Sequence, residues 1–157
     1  MNIDVYFVEE IILLIPKTNC MSVKKILLPG LAGGVAYFFL GYLFYGILFK
    51  NTMVSPIAGV MRPIEQMIWW ALITGSFLYG LLIAYVIDKT NTFTVINGAI
   101  TGTIVSFLVS ASFNFTMYAT TYINTRTTVV YDVAISTVIG AITGAIVALI
   151  AGIGSRR

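Results

Sequence analysis

Few side chains in this 157-residue chain could do chemistry, and most of them gather near one stretch. Asp132 follows Tyr131 at the head of an apolar run, and Asn114, Tyr118, Thr120, Thr121, Asn124 and Arg126 lie just upstream. An acid, two amides, hydroxyls and a guanidinium at that spacing can line a polar pocket for a small solute or ion. Arg126 could pair with Asp132 across the turn between them. The plainer role for Asp132 is a helix cap, because an acid in a first helical turn is favoured by the macrodipole. Arg62 and Glu65 either close the same pocket or serve as interfacial anchors. Catalysis has no comparable support. Without histidine, no serine can be activated in the usual way, and an aspartyl dyad needs a second embedded acid. The single cysteine, Cys20, leaves no internal disulfide and no His/Cys donor set, so no metal or cofactor is expected.

The elements that must position these residues belong in a lipid bilayer. Apolar residues make up 59% of the chain and charged ones 10%, with a mean hydropathy of +0.96. A soluble domain has roughly 25% charged residues. The net charge of +3 is scattered singly, which argues against nucleic acid as a partner. A spanning helix needs about 20 apolar residues. Four windows supply them, at about 26–49, 66–87, 94–119 and 130–153, predicting an all-α, up-down-up-down four-helix membrane bundle as a single domain over 24–157. Pro29 is placed in the first turn of the first helix, where its missing amide costs nothing. Trp69, Trp70 and Tyr85 mark the two interfaces of the second. Asp88-Lys89-Thr90-Asn91 is read as a tight turn joining the second and third helices into a hairpin. The segment from Lys50 to Glu65 carries Pro56 and Pro63 yet is fairly apolar, which suits a loop lying along the headgroups. On the first helix, Phe38, Tyr42, Tyr45 and Phe49 share a face that reads as lipid-facing or packing rather than as a ligand cage.

Lys17, Lys24, Lys25, Lys89, Arg156 and Arg157 fall on one side of the bundle, against Lys50, Arg62 and Arg126 on the other. The positive-inside bias then places both termini in the cytoplasm, in the cytoplasmic (inner) membrane. Residues 1–23 stand apart as an extension. MNIDVYFVEEIILLIPKTNC is acidic where a secretory signal is basic and too short in apolar positions to span. The expectation is that the natural start is Met21, with a short surface helix as the alternative.

Small residues recur four apart on the last two helices. Residues 98–105 read GAITGTIV and residues 140–147 read GAITGAIV. The series Gly98, Gly102, Ser106, Ser110, Asn114 faces the series Asp132, Ser136, Gly140, Gly144, Ala148, Gly152. Lipid tails give greasy side chains no reason to prefer a neighbouring helix, whereas bare backbone permits close approach. An antiparallel pair in the register Gly98–Ala148, Gly102–Gly144, Ser106–Gly140, Ser110–Ser136 and Asn114–Asp132 is therefore predicted, with three or four steps in contact. Ile73-Thr74-Gly75, together with Gly30, Gly34 and Gly41, suggests similar close approach on the first two helices. A duplicated transporter half-site is the sharper reading of the octapeptide, but its failure to extend over several helices favours packing.

The stretch FNFTMYATTYINTRTTVVYDVAISTVIGAITG, residues 113–144, and the glycine-aromatic first helix GGVAYFFLGYLFYGILF resemble small bacterial four-helix integral membrane proteins of unknown function. That resemblance covers the chain from about Lys24 onward. It implies fold and location, singles out Tyr118 and Asp132, and carries no activity. Two other small families fit worse. The first helix lacks the embedded glutamate of small multidrug exporters, and the arginine-glycine signature of fluoride channels is missing. The leading functional class is a non-enzymatic structural or accessory component that associates, with itself or another membrane protein, through glycine-rich helix faces. The alternative is a small-solute or ion carrier using the pocket near Asp132.

Overall fold

The computed structural model describes residues 23–52, 55–60 and 62–155. The expectations about the start site and a surface helix in residues 1–20 lie outside them. Four long helices account for most of the chain. The first, α1 (Val23–Gly41), continues without a break into a π-helical segment, Tyr42–Leu48. A short 3-10 turn at Ile64–Gln66 precedes α2 (Trp69–Thr90), followed by α3 (Val95–Thr120) and α4 (Arg126–Ser155). All four are long and apolar enough to cross a membrane. At 1.5 Å per residue the shortest candidate span, of 22 residues, is about 33 Å long. The chain is a multi-pass membrane protein with a helical-bundle fold.

Capping chemistry moves several boundaries from their expected places. Helix α2 runs through Asp88, Lys89 and Thr90, which the sequence suggested were a turn. It stops at Asn91, the one described non-glycine residue with positive φ (52°), where the amides of Asn91 and Thr92 bond back to Asp88 and Ile87 carbonyls. That is a Schellman closure with asparagine in the left-handed position. Thr94 then caps α3 by accepting from the Asn97 amide (3.3 Å). Thr125 does the same for α4, accepting from the Thr128 amide (3.2 Å), so this helix begins four residues before the expected Val130. Asp132 is thereby carried past the first turn, and the capping role expected of it is not the one it has. Because α1 likewise begins at Val23, Pro29 lies beyond the first turn, inside the helix.

The bundle consists of two hairpins, α1 with α2 and α3 with α4, joined through α4, which packs on all three other helices. In the α3/α4 pair a Cβ added to Gly102 would collide with the Gly140 carbonyl oxygen and stand 2.9 Å from Gly144 Cα. One added to Gly98 would meet Ala148 Cβ, and one on Gly140 would meet Ser106. Backbone meets backbone where Gly98 and Gly102 face Gly140 and Gly144, with the Ala148 and Ser106 side chains packed at either end. Farther along, at Asn114 and Asp132, the helices are bridged by side chains instead, and past the other end a Cβ added to Gly152 would stand 2.9 Å from the Phe93 carbonyl oxygen. Contact therefore extends beyond the three or four steps expected, because polar side chains bridge the helices where the glycines end.

The first hairpin has its own seam. Gly30 and Gly34 of α1 press on Leu81 and Phe77, and a Cβ on Gly80 would run into the backbone of Gly34 and Gly30. Gly33 sits under Val147 of α4. By contrast, a Cβ added to Gly75 or Gly41 would have nothing within 4 Å, so the Ile73-Thr74-Gly75 echo is not a contact on α2; Gly80, farther along that helix, is. Ile83, Ile87, Ile139 and Val147 are fully buried where the hairpins join. Thr143 is fully buried among them, and its Oγ1 has no hydrogen-bond partner.

Candidate functional site

Where the two hairpins do not meet, they leave a cavity of about 330 Å³. Its walls come from all four helices: Tyr37 and Tyr45 from α1, Tyr79 from α2, Val109, Ser110, Phe113 and Asn114 from α3, and Asp132 and Ser136 from α4. Among the described residues α1 and α3 make no extended contact, and α4 forms the floor between them. Phe113, 63% exposed, and Val109, 43% exposed, stand at the lip. Phe113 is seven residues, about 10 Å, from the end of α3, which puts it at hydrocarbon depth.

The polar groups are held in a fixed pattern. Asn114 Nδ2 donates to Asp132 Oδ2 (2.5 Å), and Ser110 Oγ donates to the same oxygen (3.4 Å). Asn114 Nδ2 also reaches the Ser110 carbonyl (3.0 Å) and hydroxyl (3.2 Å). Among the hydrogen bonds of the described residues none is made to Asp132 Oδ1. Higher on α4, Ser136 Oγ and the Tyr45 hydroxyl bond at 2.9 Å, and the Tyr79 hydroxyl donates to buried Ser106 (2.7 Å). Tyr37 and Tyr79 pack ring against ring, their centroids 4.3 Å apart. The lining has one ionisable acid, Asp132, and no lysine or arginine.

Compared with family models, curated proteins and solved structures, the chain matches none. What the site can do is therefore argued from its own geometry.

The residues expected in one pocket divide into three groups. Asn114 and Asp132 line the cavity, with Ser110 and Ser136 of the small-residue series beside them. Tyr118 and Arg126 form a separate exposed pair, Arg126 Nε donating to the Tyr118 hydroxyl (3.0 Å), and no Arg126–Asp132 pair exists. The early start of α4 explains this. With Arg126 and Asp132 six residues apart on one helix, their side chains leave it on different faces. Asn124 is half-buried in the α3–α4 turn, outside the cavity, and Thr121 bonds the Met117 carbonyl. Arg62 and Glu65 are exposed and are not part of the lining. The long loop instead rests on the α3–α4 turn through Ser55 Oγ, which donates to the Ile123 carbonyl (2.9 Å).

Three tyrosines, Val109 and Phe113 are the lining residues that sequence reasoning missed. The aromatic face expected on α1 splits: Phe49 packs near Tyr131, Tyr42 is exposed, and Tyr45 turns into the cavity. Winding is the cause. Eight residues of α-helix would set Tyr37 and Tyr45 about 80° apart, but π-helical winding at roughly 4.4 residues per turn beyond Gly41 reduces this to about 10°. A signal was available in Tyr37 and Tyr79, because tyrosines in mid-span, away from the interfaces this residue favours, need a polar reason to be there.

Proposed function

We propose that this membrane protein is non-enzymatic and carries a small solute or ion, which it binds in the cavity around Asp132. One observation supports the reading above the rest: an embedded carboxylate, satisfied on one oxygen by neutral donors, lines an opening shared by all four helices. Ionisable groups at that depth are costly and mark ligand or ion paths more often than packing. The positive-inside bias of the sequence, six basic residues against three, supports an inner-membrane location with both termini cytoplasmic, a reading in which the cavity lies nearer the opposite leaflet. The association reading ranks second, because the glycines of α3 and α4 that motivated it are taken up by contacts within the chain. Of the small-residue sites, Gly75 and Gly41 are the ones left open to a second copy or another membrane protein.

A thermal-shift screen of small solutes and ions against purified protein tests this. A ligand at a hundred times its Kd stabilises by about 2.7 kcal/mol. At least one should stabilise the native protein and fail on Asp132→Asn. If every stabilising ligand acts equally on both, the cavity is not the binding site.

A further inference from the structure

We infer that the cavity is built for an organic monocation, an ammonium group on an apolar body; this rests on the reading of the cavity as a binding site. Charge, volume, lining and access agree. The lining carries one carboxylate and no basic side chain, so a single positive charge neutralises it and an anion would be repelled. The donors Ser110 and Asn114 are neutral and both reach Asp132 Oδ2, and the Tyr45 hydroxyl stands beside the same carboxylate, so among the described residues no cation neutralises it. The space, about 330 Å³, is far larger than a bare metal ion needs. It is roughly twice the 150 Å³ apolar cavity that accommodates benzene.

The rest of the lining is largely aromatic. Tyr37, Tyr45, Tyr79 and Phe113 surround the space, and the hydroxyls of Tyr45 and Tyr79 are tied to Ser136 and Ser106, which fixes their rings. Aromatic rings attract ammonium groups through their quadrupole and do so most strongly when the site is desolvated. Access points the same way. The exposed apolar side chains Val109 and Phe113 border the space at the depth of lipid tails, which suits a cation with an apolar body better than a hydrated metal ion.

The test is calorimetric titration of the full chain in nanodiscs with choline, with its uncharged isostere 3,3-dimethylbutan-1-ol, and with NaCl. Choline should bind saturably. Asp132→Asn should weaken it by at least tenfold, and Tyr79→Leu by about three- to tenfold, the range expected for one lost ring. Gly75→Ala, which lies outside the cavity with nothing within 4 Å of its added Cβ, should leave the affinity unchanged. The thermal stability of each variant serves as the check on folding. Equal binding of the alcohol, or Asp132-dependent binding of sodium without choline, overturns the cation inference and leaves the carrier reading standing. Finding no Asp132-dependent binding of any of the three overturns the inference. The solute screen above then decides the carrier reading separately. Repeating the titration in discs with and without phosphatidylethanolamine separates the two sources of an ammonium group. Competition by that lipid assigns the site to a headgroup, unchanged affinity assigns it to a free solute, and either result upholds an ammonium ligand.

Discussion

Gly144→Ala should loosen the α3/α4 pair by an amount the structure allows to be worked out. A Cβ there would stand 2.8 Å from Gly102 Cα and 3.0 Å from Gly102 N, and closer still to the Gly98 carbonyl oxygen. All three are backbone atoms, so no rotamer change relieves the clash and the helices must separate. Restoring ordinary contact requires a shift of about 0.5–1 Å, which forfeits a quarter to a half of each van der Waals well. For a seam of on the order of 40 atom pairs at about 0.15 kcal/mol each, the loss is about 1.5–3 kcal/mol. Alanine returns up to about 1 kcal/mol through its better helix propensity. The net destabilisation is about 1 kcal/mol, or roughly 3 °C in a protein of this size.

Gly75→Ala isolates the steric part. Nothing lies within 4 Å of that position, so the same propensity gain comes without a clash. Its midpoint should hold or rise by about 2 °C, which puts the two variants about 3–5 °C apart. The assay is the temperature at which half the protein leaves its monodisperse size-exclusion peak in detergent. Gly144→Leu should fall further than the alanine variant. Gly102→Ala combined with Gly144→Ala should lose less than the sum of the two, since the first separation relieves the second clash. Midpoints for Gly144→Ala and Gly75→Ala that agree within about 1 °C would refute backbone contact as the source of adhesion.

Gly80→Ala should act on the first hairpin as Gly144→Ala does on the second, because its Cβ would enter the Gly34 backbone; a midpoint at or above that of the native protein in the same assay would count against an α1/α2 seam. Thr143→Val exchanges a buried, unpartnered hydroxyl for a methyl of similar size, so it should stabilise by about 1 kcal/mol, roughly 3 °C. A lower midpoint would mean that Oγ1 has a partner in the membrane.

The chain's pattern made the α3/α4 register legible because glycine spacing is a local property: once two stripes repeat every four residues and the helices are antiparallel, one alignment superposes them. Gly80 was hidden for the opposite reason. It stands alone on α2, in no series, and its meaning depends on Gly30 and Gly34 of another helix. Gly75 misled because its neighbours copy the octapeptide while its face points away from the bundle. The cavity was half legible. Asn114 and Asp132 followed from the register, but Tyr45 depends on a change of helical winding and Tyr79 on how the hairpins dock, neither of which leaves a periodic trace.

The seams and the cavity have a common cause. Bare backbone draws α3 onto α4 and α1 onto α2, and each pair is then too closely mated for its helices to splay and fill the space between pairs. The hairpins therefore meet through one helix, α4, whose buried side chains Ile139, Thr143 and Val147 occupy the joint. Toward the end with the α3–α4 turn, the small-residue contact gives way to Ser110, Asn114, Asp132 and Ser136, and the space left between α1 and α3 acquires polar walls. Filling it from α4 should then cost little stability, since the glycine contacts lie farther along the helices. Ser136→Phe would occupy the cavity and displace the Tyr45 hydroxyl. The expected result is lost ligand binding with a midpoint within about 3 °C of native, the effect of roughly 1 kcal/mol of lost hydrogen bonding. A collapse of the bundle in that variant would show that the cavity residues hold the hairpins together and that the glycine seams alone do not.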